Sequence, residues 1–196
     1  MRLSNKLINK EKNLYIWNDF FEKYTKKTDR ILDFGCGAGW SIYLGLKLGY
    51  DIRGIDVDSP PYNMEEMVNF REEIETARFI DIYDGNNNLP YEDESYDIIV
   101  CKASLEKFND RQNNEALKNK REDIRDELVD KRCKEFSRIL RGKKTLVAAG
   151  GLNPFNKKFL SLHGINFIRW RFRELLKDHP EYFSEKRLMR EGVLNK

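Results

Sequence analysis

Residues 31–39, with the sequence Ile-Leu-Asp-Phe-Gly-Cys-Gly-Ala-Gly, decide the fold of this chain. They describe an apolar strand that ends near an acid, Asp33, and continues into a turn with almost no side chains. Glycines at positions 35, 37 and 39 let the backbone take conformations closed to other residues, and they remove the Cβ atoms that would keep a ligand away from the main chain. The stretch therefore predicts a strand, a turn and a helix that bind a ligand bearing a nucleoside.

The glycine spacing and two acids indicate which cofactor fits. A dinucleotide-binding turn has the pattern G-x-G-x-x-G, whereas this turn has G-x-G-x-G with Trp40 in the place of the third glycine. Asp33 would repel a pyrophosphate but would attract a cationic amino group. Asp56 closes the next apolar run, where a carboxylate can accept hydrogen bonds from both ribose hydroxyls of an adenosine. An adenosine that carries a positively charged amino acid fits both acids, and that molecule is S-adenosylmethionine.

Composition limits the other possibilities. The 196 residues have the length of one domain, and the net charge of +3 gives no reason to expect a polyanionic partner. The cysteines, Cys36, Cys101 and Cys133, are few and odd in number, which is typical of reduced cytosolic thiols. Since no Cys and His pair has a zinc spacing, we expect no metal. No apolar run is long enough to span a bilayer, so we expect a cytoplasmic protein.

Three further segments resemble the class I S-adenosylmethionine-dependent methyltransferases in their order and spacing. They are Asp84-Gly85, the stretch from Leu89 to Val100, and the stretch from Arg138 to Gly142. With the glycine turn and Asp56, they extend the resemblance over roughly residues 15–150. The resemblance implies a Rossmann-like, doubly wound and mainly parallel α/β sheet of the class I methyltransferase type. The strand signals after residue 151 are weak, so we expect this sheet to be abbreviated at its C-terminal strands.

Two departures from the family pattern limit what can be transferred. The branch with small-molecule acceptors often has Leu-Glu-His after the fourth strand, whereas this chain has Leu105-Glu106-Lys107. It also often has a Pro-Gly-Gly turn before the fifth strand, where this chain has Arg141-Gly142-Lys143. Because Lys107 stands where the family often has the histidine, no role of that histidine can be transferred to this chain. Glu106 is a candidate general base near the end of strand four, but the sequence favours a surface helix cap for it, so the catalytic residues stay unassigned.

The expected cofactor site combines both arguments. The residues themselves predict that the glycine turn cradles the cofactor, that Asp33 contacts its amino end and that Asp56 binds its ribose. The resemblance places Asp84 and Gly85 at the amine edge of the adenine, and Cys101, Lys102 and Ala103 beside the methionine portion. The complete set expected to bind the cofactor is Asp33, Gly35, Cys36, Gly37, Ala38, Gly39, Trp40, Asp56, Val57, Asp84, Gly85, Cys101 and Lys102.

The pattern of apolar residues predicts one methyltransferase domain with three parts. Residues 1–28 are a helical lead-in with a helix over 11–25, residues 29–150 are the cofactor-binding core, and residues 151–196 are a C-terminal cap that completes the sheet. We expect strands at 30–34, 51–57, 78–83, 96–102, 145–149 and 165–170, with a short seventh strand at 192–194. Helices are expected at 40–48, 63–74, 155–163 and 172–183, and a long charged helix before residue 140.

The sequence favours methyl transfer to a small-molecule acceptor, because the charge is nearly balanced and no recognition domain is attached. It leaves two alternatives open. The first is an RNA or protein methyltransferase that uses the basic stretch after Asn153. The second is a cofactor-binding regulatory subunit without catalytic activity, which the missing histidine and the short C-terminal region would permit. Neither His163 nor His179 receives a role, and the acceptor atom and oligomeric state are left open.

Overall fold

The structure, a computed structural model, describes residues 9–57, 64–83, 88–102, 104, 122–149, 154–171, 173–183 and 188. Six strands lie in these ranges: β1 (Arg30–Phe34), β2 (Asp51–Val57), β3 (Ile80–Tyr83), β4 (Tyr96–Lys102), β5 (Leu140–Ala149) and β6 (Asn166–Arg169). The helices are α1 (Lys10–Tyr24), α2 (Trp40–Lys47), α3 (Met64–Glu73), α4 (Glu122–Ile139), α5 (Pro154–Leu162) and α6 (Arg173–Asp178). Short 3₁₀ helices span Ala77–Phe79 and Pro180–Tyr182.

The strands form one sheet in the order β3-β2-β1-β4-β5-β6. Every neighbouring pair is parallel. The chain therefore runs outward from β1 to one edge, returns to β4 beside β1, and runs outward again, which is the doubly wound arrangement predicted from the sequence. The expected seventh strand at 192–194 falls outside the described residues.

Helices cover both faces of the sheet because the strands are apolar on both sides. On one face, Ile31 of β1 packs in a cluster with Ile16 and Phe20 of α1 and with Ile42 of α2. On the other face, the next residue, Leu32, belongs to a cluster that includes Phe136 of α4. This alternation explains why neighbouring positions of the central strands are both apolar, and the parallel pairing places the carboxyl ends of β1, β2 and β4 along one edge.

The boundaries of three elements differ from the prediction by two residues or more. β5 begins at Leu140 and not at residue 145, because Leu140 already pairs with Tyr96 before the register shifts to Ile98 and Thr145. The residues between them include Gly142 at φ 56° and Lys144 at φ 47°, so the expected turn is present as an irregularity inside the strand. β3 begins two residues late, after a 3₁₀ turn, and the helix expected over 172–183 is divided into α6 and a second 3₁₀ turn.

Among the helices that the structure describes, none combines the length and the hydropathy that a membrane span requires.

Candidate functional site

The predicted site lies at the carboxyl ends of β1 and β2. Asp33 pairs with Gly54 and Phe34 pairs with Ile55, so Asp33 and Asp56 lie close to the same edge of the sheet. The glycine turn begins directly after β1, and the Gly35 amide donates a hydrogen bond to the Ile55 carbonyl at 2.8 Å. This bond links the turn to β2 and brings both acids next to it, as the sequence predicts.

Asp33 is a buried carboxyl with one oxygen engaged. Its side chain is 1% exposed, and its Oδ2 accepts a hydrogen bond from the Ser41 hydroxyl of α2. Its Oδ1 is also buried and has no hydrogen-bond partner among the described residues. Burial raises the pKa of Asp33 to about 7, and the Ser41 hydroxyl and the charge of Lys102 oppose this rise. An unpartnered buried oxygen on an acid beside a glycine turn fits a cationic ligand group.

The three glycines of the turn all have left-handed backbone conformations, with φ of 75°, 54° and 81° at Gly35, Gly37 and Gly39. A Cβ on Gly35 would lie 2.3 Å from the Cβ of Ser104, and one on Gly39 would lie 2.8 Å from the Thr76 hydroxyl oxygen. A Cβ on Gly37 would meet no atom within 4 Å among those that the structure describes. Two glycines are therefore required by packing within the protein, whereas the third borders open space that a ligand can occupy.

Asp56 is surrounded by donors. Its Oδ2 accepts hydrogen bonds from the Gly37 amide at 3.0 Å and from Nη2 of Arg71 in α3 at 2.8 Å. Its Oδ1 accepts from the Val57 amide at 2.9 Å. Burial raises the pKa of Asp56, and the Arg71 guanidinium opposes this effect. The acid is thus held within the protein by an ion pair that the sequence did not reveal.

Lys102 lies at the end of β4 and extends toward α1. Its Nζ donates a hydrogen bond to Oδ1 of Asn13 at 3.2 Å and lies 5.1 Å from the ring centroid of Trp17. Cys101, which precedes it, is buried, and burial raises its thiol pKa well above the usual value. A protonated buried thiol is a poor nucleophile, so Cys101 does not have the environment of a covalent catalyst.

Of the remaining predicted residues, some are buried or half-buried in the structure and others lie outside the described residues. The structure puts the Trp40 indole in the hydrophobic core, where it packs edge-on against Tyr43 and Phe70. Cys36 and Ala38 of the turn are buried. Val57 is half-buried at the end of β2. The predicted cofactor residues Asp84 and Gly85, the expected neighbour Ala103 and the candidate base Glu106 lie outside the described residues.

Three contributors to the site were missed by sequence reasoning. Ser41 binds Asp33, Arg71 binds Asp56, and the Ser104 hydroxyl donates to the Phe34 carbonyl at the end of β1. Ser41 had a usable signal, because a hydroxyl in the first turn of the helix after the glycine turn lies near the acid that precedes the turn. Arg71 had none, since an arginine in an amphipathic helix normally belongs to the solvated face.

The two histidines are both engaged by carboxylates away from the glycine turn. Nε2 of His163 lies 2.8 Å from Oδ1 of Asp130, which joins α5 to α4. Nδ1 of His179 lies 3.3 Å from Oε1 of Glu181, and its ring lies tilted against that of Tyr15 at a centroid distance of 4.1 Å. In the part of the chain that the structure describes, no three His, Cys, Asp or Glu side chains are grouped as they would be around a metal ion.

Comparison with known families finds a match over part of the chain. Residues 32–119 match the family model described as a methyltransferase domain. No curated protein sequence is significantly similar to the chain. Over these residues the chain is similar to a methyltransferase domain, in agreement with the resemblance found in the sequence.

Solved structures share the fold at low sequence identity. The PH0226 protein from Pyrococcus horikoshii OT3 has 17% identity and a TM-score of 0.50, with 89% of this chain and 64% of that chain covered. A proposed S-adenosyl-L-methionine-dependent methyltransferase from Methanococcus maripaludis has 17% identity and a TM-score of 0.47, with 92% and 71% covered. The YcgJ protein from Bacillus subtilis has 21% identity and a TM-score of 0.42, with 68% and 47% covered. The chain thus spans about half to two thirds of the length of several structural relatives.

Proposed function

We propose that this chain binds S-adenosylmethionine at the glycine turn and transfers its methyl group to a small-molecule acceptor. The observation that carries the proposal is Asp33, whose buried Oδ1 has no hydrogen-bond partner among the described residues although it lies beside the turn. A buried acid in this state is stabilised by a ligand that brings a positive charge or a donor. The amino group of S-adenosylmethionine provides both.

The residues that would hold the cofactor follow from the same geometry. Asp33 would receive the amino end and Asp56 the ribose, while the turn around Gly37 would allow the cofactor to approach the main chain. Val57 would flank the adenine. Asp84 and Gly85 at the adenine amine, and Cys101 and Lys102 at the methionine portion, remain expectations that come from the family resemblance.

When bound, S-adenosylmethionine supplies a methyl group already activated on a positively charged sulfur. The protein therefore has to align the acceptor with the methyl group and exclude water, and a dedicated catalytic base is optional. The bond from Lys102 to Asn13 supports a role for the lysine in holding α1 across the end of β4, where α1 could border an acceptor pocket. The ammonium of Lys102 thus has a protein acceptor, and its charge also acts on Asp33.

Calorimetric titration tests the cofactor assignment. S-adenosylmethionine and S-adenosylhomocysteine should bind, whereas NAD should not, because its pyrophosphate would face Asp33. Binding of NAD without binding of the adenosyl compounds would refute the assignment. As a control, Asp97→Asn should bind S-adenosylmethionine as the wild-type protein does. Asp97 is paired with Arg141 at the start of β4 and does not lie at the carboxyl edge of the sheet.

The acceptor class is tested separately. A small metabolite is favoured by the nearly balanced charge of the chain, with 36 Lys and Arg residues against 33 Asp and Glu residues. Screening a metabolite library for release of S-adenosylhomocysteine should identify an acceptor. Tight and salt-dependent RNA retention in a filter-binding assay would instead favour a nucleic-acid substrate. Cofactor binding without turnover on any acceptor, together with a stable complex with another protein, would favour a regulatory subunit.

A further inference from the structure

Arg71 closes a ring of hydrogen bonds beneath the glycine turn. Its side chain is 3% exposed although it comes from α3, which is otherwise rich in charged residues. Nε donates to the Gly37 carbonyl at 2.8 Å, and Nη2 donates both to that carbonyl and to Oδ2 of Asp56. The Gly37 amide donates to the same Oδ2 at 3.0 Å. Both polar backbone groups of the central glycine are thus bound by the pair formed by Asp56 and Arg71.

This ring leaves the two oxygens of Asp56 in different states. A carboxylate oxygen accepts about two hydrogen bonds through its lone pairs. Oδ2 already accepts two, from Gly37 and Arg71, whereas Oδ1 accepts one from Val57 among the described residues. A ribose presents two hydroxyl groups that could donate to an acid. The capacity for a new donor is therefore on Oδ1 only.

We propose that Arg71 is a positioning residue that occupies Oδ2 of Asp56, so that the carboxylate engages one of the two ribose hydroxyls and not both. The inference rests on the proposed binding of S-adenosylmethionine and refines it. It replaces the symmetrical contact expected from the sequence with a single contact at Oδ1. Arg71 also fixes the Gly37 carbonyl, which keeps the turn in its left-handed conformation at φ 54° before any ligand binds.

An arginine suits this position for geometric reasons. The planar guanidinium presents several N–H groups in a fixed fork, so one side chain can bind a carbonyl and a carboxylate together. A lysine keeps the charge but has a single nitrogen at the end of a flexible stem. Arg71→Lys should therefore retain the ion pair with Asp56 while losing the fixed contact with Gly37 or sharing its nitrogen between the two acceptors.

The decisive experiment uses three ligands: S-adenosylhomocysteine and its 2′-deoxy and 3′-deoxy analogues, titrated into the full chain by calorimetry. A hydrogen bond to a charged group corresponds to a change of about tenfold to a hundredfold in affinity. In the wild-type protein one deoxy analogue should bind about tenfold or more weakly than S-adenosylhomocysteine, and the other should bind about twofold weaker or less. Asp56→Asn should remove this difference, because the charged acceptor is then lost.

Variants at position 71 separate positioning from a general structural role. In Arg71→Lys the two deoxy analogues should become more alike, because Oδ2 is no longer held by a fixed donor. If Arg71 only supported the fold, its replacement would instead lower the affinity for all three ligands by the same factor. Arg78→Lys is the matched control: Arg78 is exposed in the 3₁₀ turn that follows α3, its guanidinium lies over the ring of Phe79, and its replacement should not change the affinity for any of the three ligands.

The outcomes distinguish this inference from the proposed function. If S-adenosylhomocysteine does not bind the wild-type protein, the proposed function fails. If it binds and both deoxy analogues lose affinity equally, the single-contact inference is wrong while the cofactor assignment stands. Circular dichroism shows whether Arg71→Lys is folded. Should that variant not fold, the comparison of the wild-type protein with Asp56→Asn decides the matter, since unequal losses that disappear in Asp56→Asn support the inference and unequal losses that persist refute it.

Discussion

Replacing Asp33 with asparagine should stabilise the unliganded protein at neutral to alkaline pH. Burial raises the pKa of this carboxyl from 3.8 to about 7 in the folded state. The difference of about three pKa units corresponds to about 4 kcal/mol that favours the protonated form in the folded protein. Because the folded state holds the proton more tightly than the unfolded state, this carboxyl lowers the free energy of unfolding as pH rises from about 4 to about 7.

Asparagine keeps the shape of aspartate and an acceptor for the Ser41 hydroxyl, but it does not ionise. The buried NH₂ group of the asparagine lowers the free energy of unfolding by an amount that does not change with pH. The stability of Asp33→Asn relative to the wild-type protein should therefore increase by about 2 to 3 kcal/mol between pH 5 and pH 8, over which most of the folded-state ionisation takes place. The same variant should lose affinity for S-adenosylmethionine, since its amino group no longer meets a negative charge.

Urea denaturation of both proteins without cofactor, at intervals from pH 5 to pH 8, measures this difference directly. The matched control is Asp97→Asn. Arg141 lowers the pKa of Asp97, so that this group is ionised in both the folded and the unfolded states across the whole range. Its effect on stability should therefore be constant with pH. A constant effect for Asp33→Asn as well would refute the argument that Asp33 carries a buried and poorly compensated charge.

Four further predictions concern the site. Affinity of the wild-type protein for S-adenosylmethionine should fall about tenfold from pH 8 to pH 6, because Asp33 has a pKa of about 7 and binds the cation in its ionised form; Asp33→Asn should show no such pH profile. Gly37→Ala should fold, with a free energy of unfolding lower by about 1 to 2 kcal/mol because of its positive φ, but it should bind the cofactor poorly. Gly49→Ala, with φ 77° and the same open surroundings, should lose similar stability in thermal melts and keep its affinity for the cofactor. Gly35→Ala should destabilise the fold more than either, by about 3 kcal/mol or more, because its Cβ would lie 2.3 Å from a neighbouring side-chain carbon; equal melting temperatures for the three variants would contradict this ranking. Asp56→Ala should abolish most cofactor binding in calorimetry, and unchanged binding would exclude Asp56 from the ribose site.

The fold could be predicted because its signals are local. β4 contains a continuous apolar run over 98–101, and β1 and β2 are short segments of apolar residues that include an acid near their carboxyl ends. Such segments are typical of a sheet that helices cover on both faces. The boundaries of β1, β2 and β4 agree with the structure for this reason. β5 was predicted less well, because its first residue, Leu140, pairs with Tyr96 ahead of an irregularity that only the neighbouring strand determines.

The candidate site was predictable only in part. The acids and glycines follow directly from strand ends, so their proximity depends on topology alone. Arg71 is different, because it reaches Gly37 and Asp56 only through the way in which α3 packs against the glycine turn. Its sequence neighbourhood, Met64–Glu73, has acids on several positions and predicts a solvent-exposed arginine. Tertiary packing, which no local pattern records, turned that side chain inward.

The contrast between the two acids determines how a cofactor would be oriented. Asp56 already has a buried cation in contact, Arg71 at 2.8 Å, so an additional positive charge at this point would be repelled by the guanidinium. Asp33 has a hydroxyl in contact with Oδ2, and its buried Oδ1 has no hydrogen-bond partner among the described residues. A cationic ligand group therefore gains more at Asp33, and a neutral hydroxyl can still bind at Asp56. Since S-adenosylmethionine carries its amino group and its ribose at different ends, the protein's own charges favour the amino acid at β1 and the ribose at β2, and the reverse orientation would place like charges together.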